Sequence, residues 1–160
     1  MTNYLYAEVN VVGAMVLLLI LTNQHRASFF RLPFDQQIFN GVMLLNLLIF
    51  LFDTGMWLSD GGIFPWMRPF NYVVTTLYYL CNPLICFLWL LYTDYKIHEN
   101  KTELLRRARF YAVPVVISSV MTLASPAVGW FFTISAENRY ARGPLFMEMA
   151  SISGGYLLLS

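Results

Sequence analysis

Between Pro69 and Thr93 the chain reads PFNYVVTTLYYLCNPLICFLWLLYT, 25 consecutive residues without an Asp, Glu, Lys or Arg. A helix of about 20 such residues crosses the ~30 Å hydrocarbon layer of a bilayer. Outward from this stretch, charge-free windows recur at Val9–His25, Gln36–Phe52 and Phe110–Ala136, and a last apolar run extends from Met149 to Ser160. They predict helices over 4–22, 37–58, 71–93, 110–131 and 145–160. The fold class expected is all-α: one polytopic membrane helical bundle with five transmembrane helices over 1–160. The last run ends on Gly154-Gly155-Tyr156-Leu157-Leu158-Leu159-Ser160 with no basic stop, as expected of a bundle cut from a larger one.

Composition agrees. Of 160 residues, 58% are hydrophobic, 17% aromatic and 12% charged, against about 25% charged in an average globular chain. Five crossings with their loops leave no length for a soluble enzyme domain. A net charge of +1, with ten Lys and Arg scattered over loops, gives no basic face for nucleic acid. No Lys or Arg precedes the first apolar run and no small-residue cleavage pattern follows it, so that run is expected to stay as a helix. Cys81 and Cys86 lie five apart on one helix, turned away from each other, and suit packing better than a disulfide or a metal.

Sidedness follows from the basic residues, because basic loops are retained in the cytoplasm. Seven of them, Arg26, Arg31, Lys96, Lys101, Arg106, Arg107 and Arg109, follow the first and third helices, and only Arg68, Arg139 and Arg142 fall on the other side. The amino terminus is therefore expected outside, in a multi-pass protein of the cell (inner or plasma) membrane. Asp60-Gly61-Gly62 with Pro65 and Pro69 makes a rigid outer turn, and Gly143-Pro144 starts the fifth helix. Trp57, Trp66, Trp130, Tyr72 and Tyr140 fall where interface anchors belong.

Carboxylates in a bilayer cost about 2.5–3.5 kcal/mol on insertion scales, so those present are expected to face the bundle interior or water. Glu8, Asp53 and Glu148 all fall in the outer half and, with Trp57 and Arg142, are the candidate ligand-binding residues. Arg68, Arg139, Arg142 and the N-terminal ends of the third and fifth helices bring positive charge to the same side, which suits a small zwitterionic or anionic ligand. The competing expectation is internal pairing of Asp53 or Glu148 with Arg142. Inward faces are read from spacing: Met43, Asn46, Phe50, Asp53 and Trp57 on the second helix; Asn71, Thr75, Tyr78, Asn82 and Trp89 on the third; Ser118, Thr122, Ser125 and Gly129 on the fourth. Asn82-Pro83 interrupts the third helix near its middle, where Pro83 removes the hydrogen bond to the carbonyl of Tyr79. Asn46, Asn82 and Pro83 are thus candidate hinge or packing residues.

No catalytic residue, cofactor or metal ligand is expected. There is no Gly-x-Ser-x-Gly, and His98-Glu99-Asn100-Lys101-Thr102 lacks the second histidine of a helical zinc site. His25 and His98 are expected in solvent. The segment Asp94–Arg109 reads as a polar continuation of the third helix and a turn, with Glu103 and Arg107 placed for an i,i+4 pair. Arg26 and Arg31 with Phe29, Phe30 and Phe34 suit a short segment lying in the headgroups.

The strings Trp57-Leu58-Ser59-Asp60-Gly61, Asn82-Pro83-Leu84, Leu88-Trp89-Leu90-Leu91-Tyr92-Thr93-Asp94-Tyr95 and Arg142-Gly143-Pro144-Leu145-Phe146 carry a resemblance over nearly the whole chain. It resembles the N-terminal multi-helix membrane sensor regions that precede a cytoplasmic GGDEF (diguanylate cyclase) domain in clostridial-type Firmicutes proteins. The resemblance implies a receptor-like bundle that relays an external cue to cyclic di-GMP synthesis by an output domain in the same polypeptide, with self-association because such cyclases work as dimers. The chain itself has no GGDEF sequence, Gly61-Gly62 being followed by Ile63, so no cyclase activity belongs to it. The expected partners are the lipid bilayer, the output domain, a second copy and an unidentified small ligand, with no nucleic acid. A transporter-like or ion-coupled bundle and a passive membrane anchor are the alternatives.

Overall fold

The computed structural model describes residues 2–24 and 32–160, with side chains described over 8–23 and 32–160. The expectations for His25, Arg26, Phe29, Phe30 and Arg31 lie outside the described residues. The elements run α1 (Thr2–Gln24), α2 (Phe34–Ser59), α3 (Met67–His98), α4 (Lys101–Val128), β1 (Phe132–Ile134), β2 (Tyr140–Arg142) and α5 (Phe146–Leu159). The fold is an all-α bundle carrying one small antiparallel hairpin, in which Phe132 faces Arg142 and Ile134 faces Tyr140. Helices α2, α3 and α4, of 26, 32 and 28 residues, are long and apolar enough to cross a membrane. Helix α5, at 14 residues, spans about 21 Å at 1.5 Å per residue, less than the ~30 Å hydrocarbon layer. The described apolar part of α1, Glu8–Asn23, is also in the shorter class. Of the five crossings expected, three are candidate spans among the described residues, and α1 is 23 residues long in all.

The third and fourth helices are longer than their charge-free windows. Helix α3 runs to His98 because His98 reaches back one turn to Asp94, Nδ1 to Oδ1 at 2.8 Å. Helix α4 begins at Lys101 instead of 110 because Asn100 caps it, its Oδ1 accepting from the N–H groups of Thr102 (3.1 Å) and Glu103 (3.2 Å). Only Glu99 and Asn100 separate the two helices, and Glu99 takes a left-handed conformation to make the turn, φ 49°. Charge patterning thus marked where hydrocarbon could begin, while capping decides where the helix does.

Helix α3 is the central element and packs against α2, α4, α5 and β1; α1 packs on α2. Two buried apolar clusters fix this arrangement. One joins Tyr79, Phe131, Phe132, Ile134 and Met149 at the hairpin end, and the other joins Leu90, Val115 and Tyr156 nearer the Glu99–Asn100 end. The expected inward face of α4 is present: Ser118, Thr122 and Ser125 are buried, and Ser125 Oγ accepts the Phe131 N–H at 3.0 Å. Gly129 stops α4 in a left-handed conformation, φ 75°.

The hairpin, expected as the end of the fourth helix and an outer loop, folds back onto the bundle and buries Phe131, Phe132 and Ile134. Gly143 permits this return. Its N–H donates to the Phe131 carbonyl at 2.8 Å, and a Cβ there would sit 2.3 Å from the Trp130 carbonyl oxygen and 2.5 Å from that of Gly129. At Gly154 a Cβ would meet nothing within 4 Å. The same substitution should therefore act with opposite sign at the two sites. Gly143→Ala is expected to destabilise by about 1–3 kcal/mol through overpacking, and Gly154→Ala to stabilise by about 0.5–1 kcal/mol through helix propensity; thermal unfolding in detergent micelles checks both.

Candidate functional site

At the hairpin end the polar groups close on one another. Asn138 sits in the hairpin loop with left-handed backbone, φ 56°, a conformation Asn tolerates better than most residues. Its side-chain amide donates to the Ser59 carbonyl at 2.6 Å, and its Oδ1 accepts from Asn71 Nδ2 at 3.1 Å. Its carbonyl accepts the Gly61 N–H at 2.7 Å. Asn71 Oδ1 in turn accepts from Thr75 Oγ1 at 3.1 Å. Asp60 Oδ1 accepts the Tyr140 N–H at 2.8 Å, and the Tyr72 hydroxyl donates to the Ile134 carbonyl at 3.1 Å. Asn71, Thr75, Ser59 and Asn138 are all buried, so each bond replaces water that has no access.

Phenols form a second layer beneath this cap. The hydroxyls of Tyr79 and Tyr140 share a hydrogen bond at 2.5 Å, and the Tyr79 ring stacks on Phe131 and Phe132. Burial pushes the Tyr140 phenol up; the hydrogen bond shared with Tyr79 and the nearby Arg142 oppose the rise, and Asp53 adds to it. Tyr72 and Tyr140 were expected as interface anchors, and both instead direct their hydroxyls into the cap. On α3, Asn71 and Thr75 of the expected stripe are fully buried and Tyr79 is nearly so, at 1% exposure, while Tyr78 of that stripe is half-buried.

The candidate ligand residues are distributed around this core. Asp53 is half-buried on α2 and accepts from Asn10 Nδ2 of α1 at 2.5 Å. Glu8 on α1 and Glu148 in the first turn of α5 are exposed, and Trp57 is half-buried on α2. Arg142 is exposed on β2, its guanidinium 4.6 Å from the centre of the Phe146 ring. It makes no ion pair with Asp53 or Glu148 among the described residues; the neighbouring aromatic ring takes the place of the acid expected to lock it. Thus Asp53 and Arg142 are gathered about Tyr140, and Glu8 and Glu148 remain outside the hydrogen-bonded cap.

The interruption of α3 is accommodated without breaking the helix. Asn82 Nδ2 donates to the Tyr78 carbonyl at 2.8 Å, one residue before the carbonyl that Pro83 leaves without its usual donor. Asn46 Nδ2 donates to the Val42 carbonyl at 3.3 Å, and Asn46 lines a mainly apolar cleft of about 250 Å³ with Ile85, Cys86, Trp89 and Leu157.

At the Glu99–Asn100 end part of the charge is paired. Buried Asp94 receives His98 Nδ1 at 2.8 Å and Arg107 Nη1 at 3.2 Å, and Lys96 Nζ meets Asp35 Oδ2 at 2.6 Å. Glu103 and Arg107 form the expected i,i+4 pair at 3.9 Å. His98, expected free in solvent, is half-exposed and bound to Asp94. Among the described residues no three His, Cys, Asp or Glu side chains gather as a metal would need.

Sequence reasoning placed Arg68 on this side but missed what surrounds it. Pro65, Arg68, Pro69 and Tyr72 of the α2–α3 turn and α3, with Pro126 of α4, line an open cleft of about 480 Å³. The signal was the Pro65/Pro69 frame around Arg68, which could be read only as a rigid turn until α4 was seen to end with Pro126 across from it. Comparison with known protein families, with characterised proteins and with solved structures finds no match to this chain.

Asn138 is the joint of the cap. Its replacement by Ala leaves the Asn71 amide buried without a partner and the Ser59 carbonyl with the Gly62 N–H alone, and is expected to cost about 2 kcal/mol. Ser135→Ala, at an exposed position of the same loop, removes only exposed bonds to the Arg139 N–H and the Glu137 carboxyl and should cost less, about 0.5–1 kcal/mol. Thermal unfolding in micelles compares the two.

Proposed function

We propose that this chain is a membrane-embedded sensory and signal-transducing domain, multi-pass in a bacterial cell membrane. Its hairpin end lies outside and its Glu99–Asn100 end in the cytoplasm. By the resemblance noted above, the output is a diguanylate cyclase domain in the same polypeptide, working as a dimer. In this reading α1 and α5 complete the set of crossings around α2, α3 and α4. The excess of Lys and Arg at the Glu99–Asn100 end supports the sidedness.

The observation that carries the reading is the course of α3. It is one helix of 32 residues, about 48 Å long at 1.5 Å per residue. Near its start Asn71, Tyr72 and Tyr79 hold the hairpin, and near its end Asp94 and Lys96 hold α4 and α2. A change in how the hairpin seats is therefore delivered to the charged end through a single rigid element, with Pro83 between as the place where the axis can bend. An anchor needs no such buried polar joint at its outer end, and a transport path would place ionisable groups nearer the middle of the bundle.

The test is made in the full polypeptide. Asp53→Asn and Glu148→Gln together are expected to change cyclic di-GMP output severalfold while membrane insertion, read by accessibility of tags at the two ends, is unchanged. Unaltered output with correct insertion would leave the passive anchor as the reading, and substrate flux in liposomes would favour the transporter.

A further inference from the structure

Some cations of the bundle meet a carboxylate and others do not, Lys101, Arg106 and Arg109 forming no ion pair among the described residues. At the Glu99–Asn100 end Lys96, His98 and Arg107 each meet a carboxylate. At the hairpin end Arg68, Arg139 and Arg142 are exposed, and among the described residues none is ion-paired. Arg142 stacks on Phe146 and Arg139 lies beside Gly61. Arg68 lines a cleft, its guanidinium 5.9 Å from the centre of the Tyr72 ring.

That cleft is built rather than incidental. Its walls are the rings of Pro65, Pro69, Pro126 and Tyr72, and proline rings have almost no rotamer freedom to lose when a ligand enters. The Tyr72 hydroxyl is already spent on the Ile134 carbonyl, so it cannot donate to a guest. Arg68 retains its capacity: Nη2 reaches the Ile134 carbonyl only at 3.5 Å, at the limit of a hydrogen bond, and the guanidinium has five N–H donors in a flat fork. Arg68 also sits in the first turn of α3, which contains no acid, so its charge adds to the positive end of the helix instead of offsetting it. A competitor for its charge is Glu137. Its carboxyl is held below the usual range chiefly by a hydrogen bond with Ser135, and only in smaller part by Arg68.

We propose that this cleft binds an anionic group, a carboxylate or phosphate carried on a compact apolar body, with Arg68 as its counter-charge. The anion takes the fork of Arg68, and the apolar body lies against the proline and tyrosine rings. Two sources offer this chemistry at a membrane surface, a small organic anion from the medium and the headgroup of an anionic phospholipid. The inference deepens the sensory reading by naming the ligand class, and it rests on that reading for the role of the site, though not for its chemistry.

The test uses the full chain in nanodiscs. Calorimetric titration of benzoate in phosphatidylcholine discs is expected to give saturable binding that Arg68→Gln weakens about tenfold or more, the loss of one charge-assisted contact. Arg68→Lys should recover part of it, and Glu137→Gln should tighten it. Pro126→Phe, which fills the cleft and keeps its charge, should abolish it. In discs that include phosphatidylglycerol, native mass spectrometry reads the other source: retention of that lipid over phosphatidylcholine, lost in Arg68→Gln and in Pro126→Phe, assigns the headgroup, and benzoate binding without such retention assigns the soluble anion. If neither probe distinguishes the unaltered chain from Pro126→Phe and from the Arg68 variants, the proposal fails, even where Arg68→Gln alone disturbs folding. Because the readout is binding, a failed site with output still responsive to Asp53→Asn and Glu148→Gln would remove the anion and leave the sensor. The reverse pattern would leave an anion site on an anchor.

Discussion

Water has no access to the junction where the hairpin meets α2 and α3, so every amide and carbonyl there must find its partner within the protein. Asn138 meets that constraint for three elements together. Its side chain joins the last turn of α2 through Ser59 and the first turns of α3 through Asn71, and its own carbonyl holds Gly61 between them. With the junction closed, Phe131, Phe132 and Ile134 can be buried against Tyr79, and Tyr140 is brought within reach of the same phenol. The apolar cluster at this end therefore depends on a polar one: without the amide, the hairpin would carry unsatisfied groups into the space its phenylalanines occupy.

The opposite end is organised by charge. Asp94 holds α3 to α4 through Arg107, and Lys96 holds α3 to α2 through Asp35. Exposed pairs of this kind contribute little by themselves, but Asp94 is buried, and removing one partner of a buried ion leaves an expensive residue behind. So α3 is fixed by neutral hydrogen bonds at one end and by ion pairs at the other, with Pro83 between.

Much of the helical plan was legible because hydrocarbon excludes charge, and the charge-free windows locate α2, α3 and the apolar body of α4 directly. Capping was less visible: Asn100 followed three residues later by Glu103 is a start signal, but next to five Lys and Arg it reads equally well as a loop. The hairpin was hidden for a different reason. Phe131-Phe132-Thr133-Ile134 extends an apolar helix without a break in polarity, and Gly129 in a line with Ser118, Thr122 and Ser125 reads as a small packing residue as readily as a helix stop. Around the hairpin end, the Asn71–Thr75 face could be named from spacing, and Asp53 and Arg142 from their charge. Asn138 could not, since a lone polar residue in a short loop gives no sign of what it reaches.

The bonds that close the hairpin end are distant along the chain, 67 residues from Asn71 to Asn138 and 79 from Ser59 to Asn138. During synthesis α2 and α3 therefore leave the ribosome well before their closing residue does. For that interval the Asn71 amide must be hydrated or held by the insertion machinery, because bare lipid cannot satisfy it, while the Ser59 carbonyl has only the Gly62 N–H. Biogenesis of this bundle is thereby tied to the arrival of residues 130–142, and the paired helices mature only when that late segment is in place.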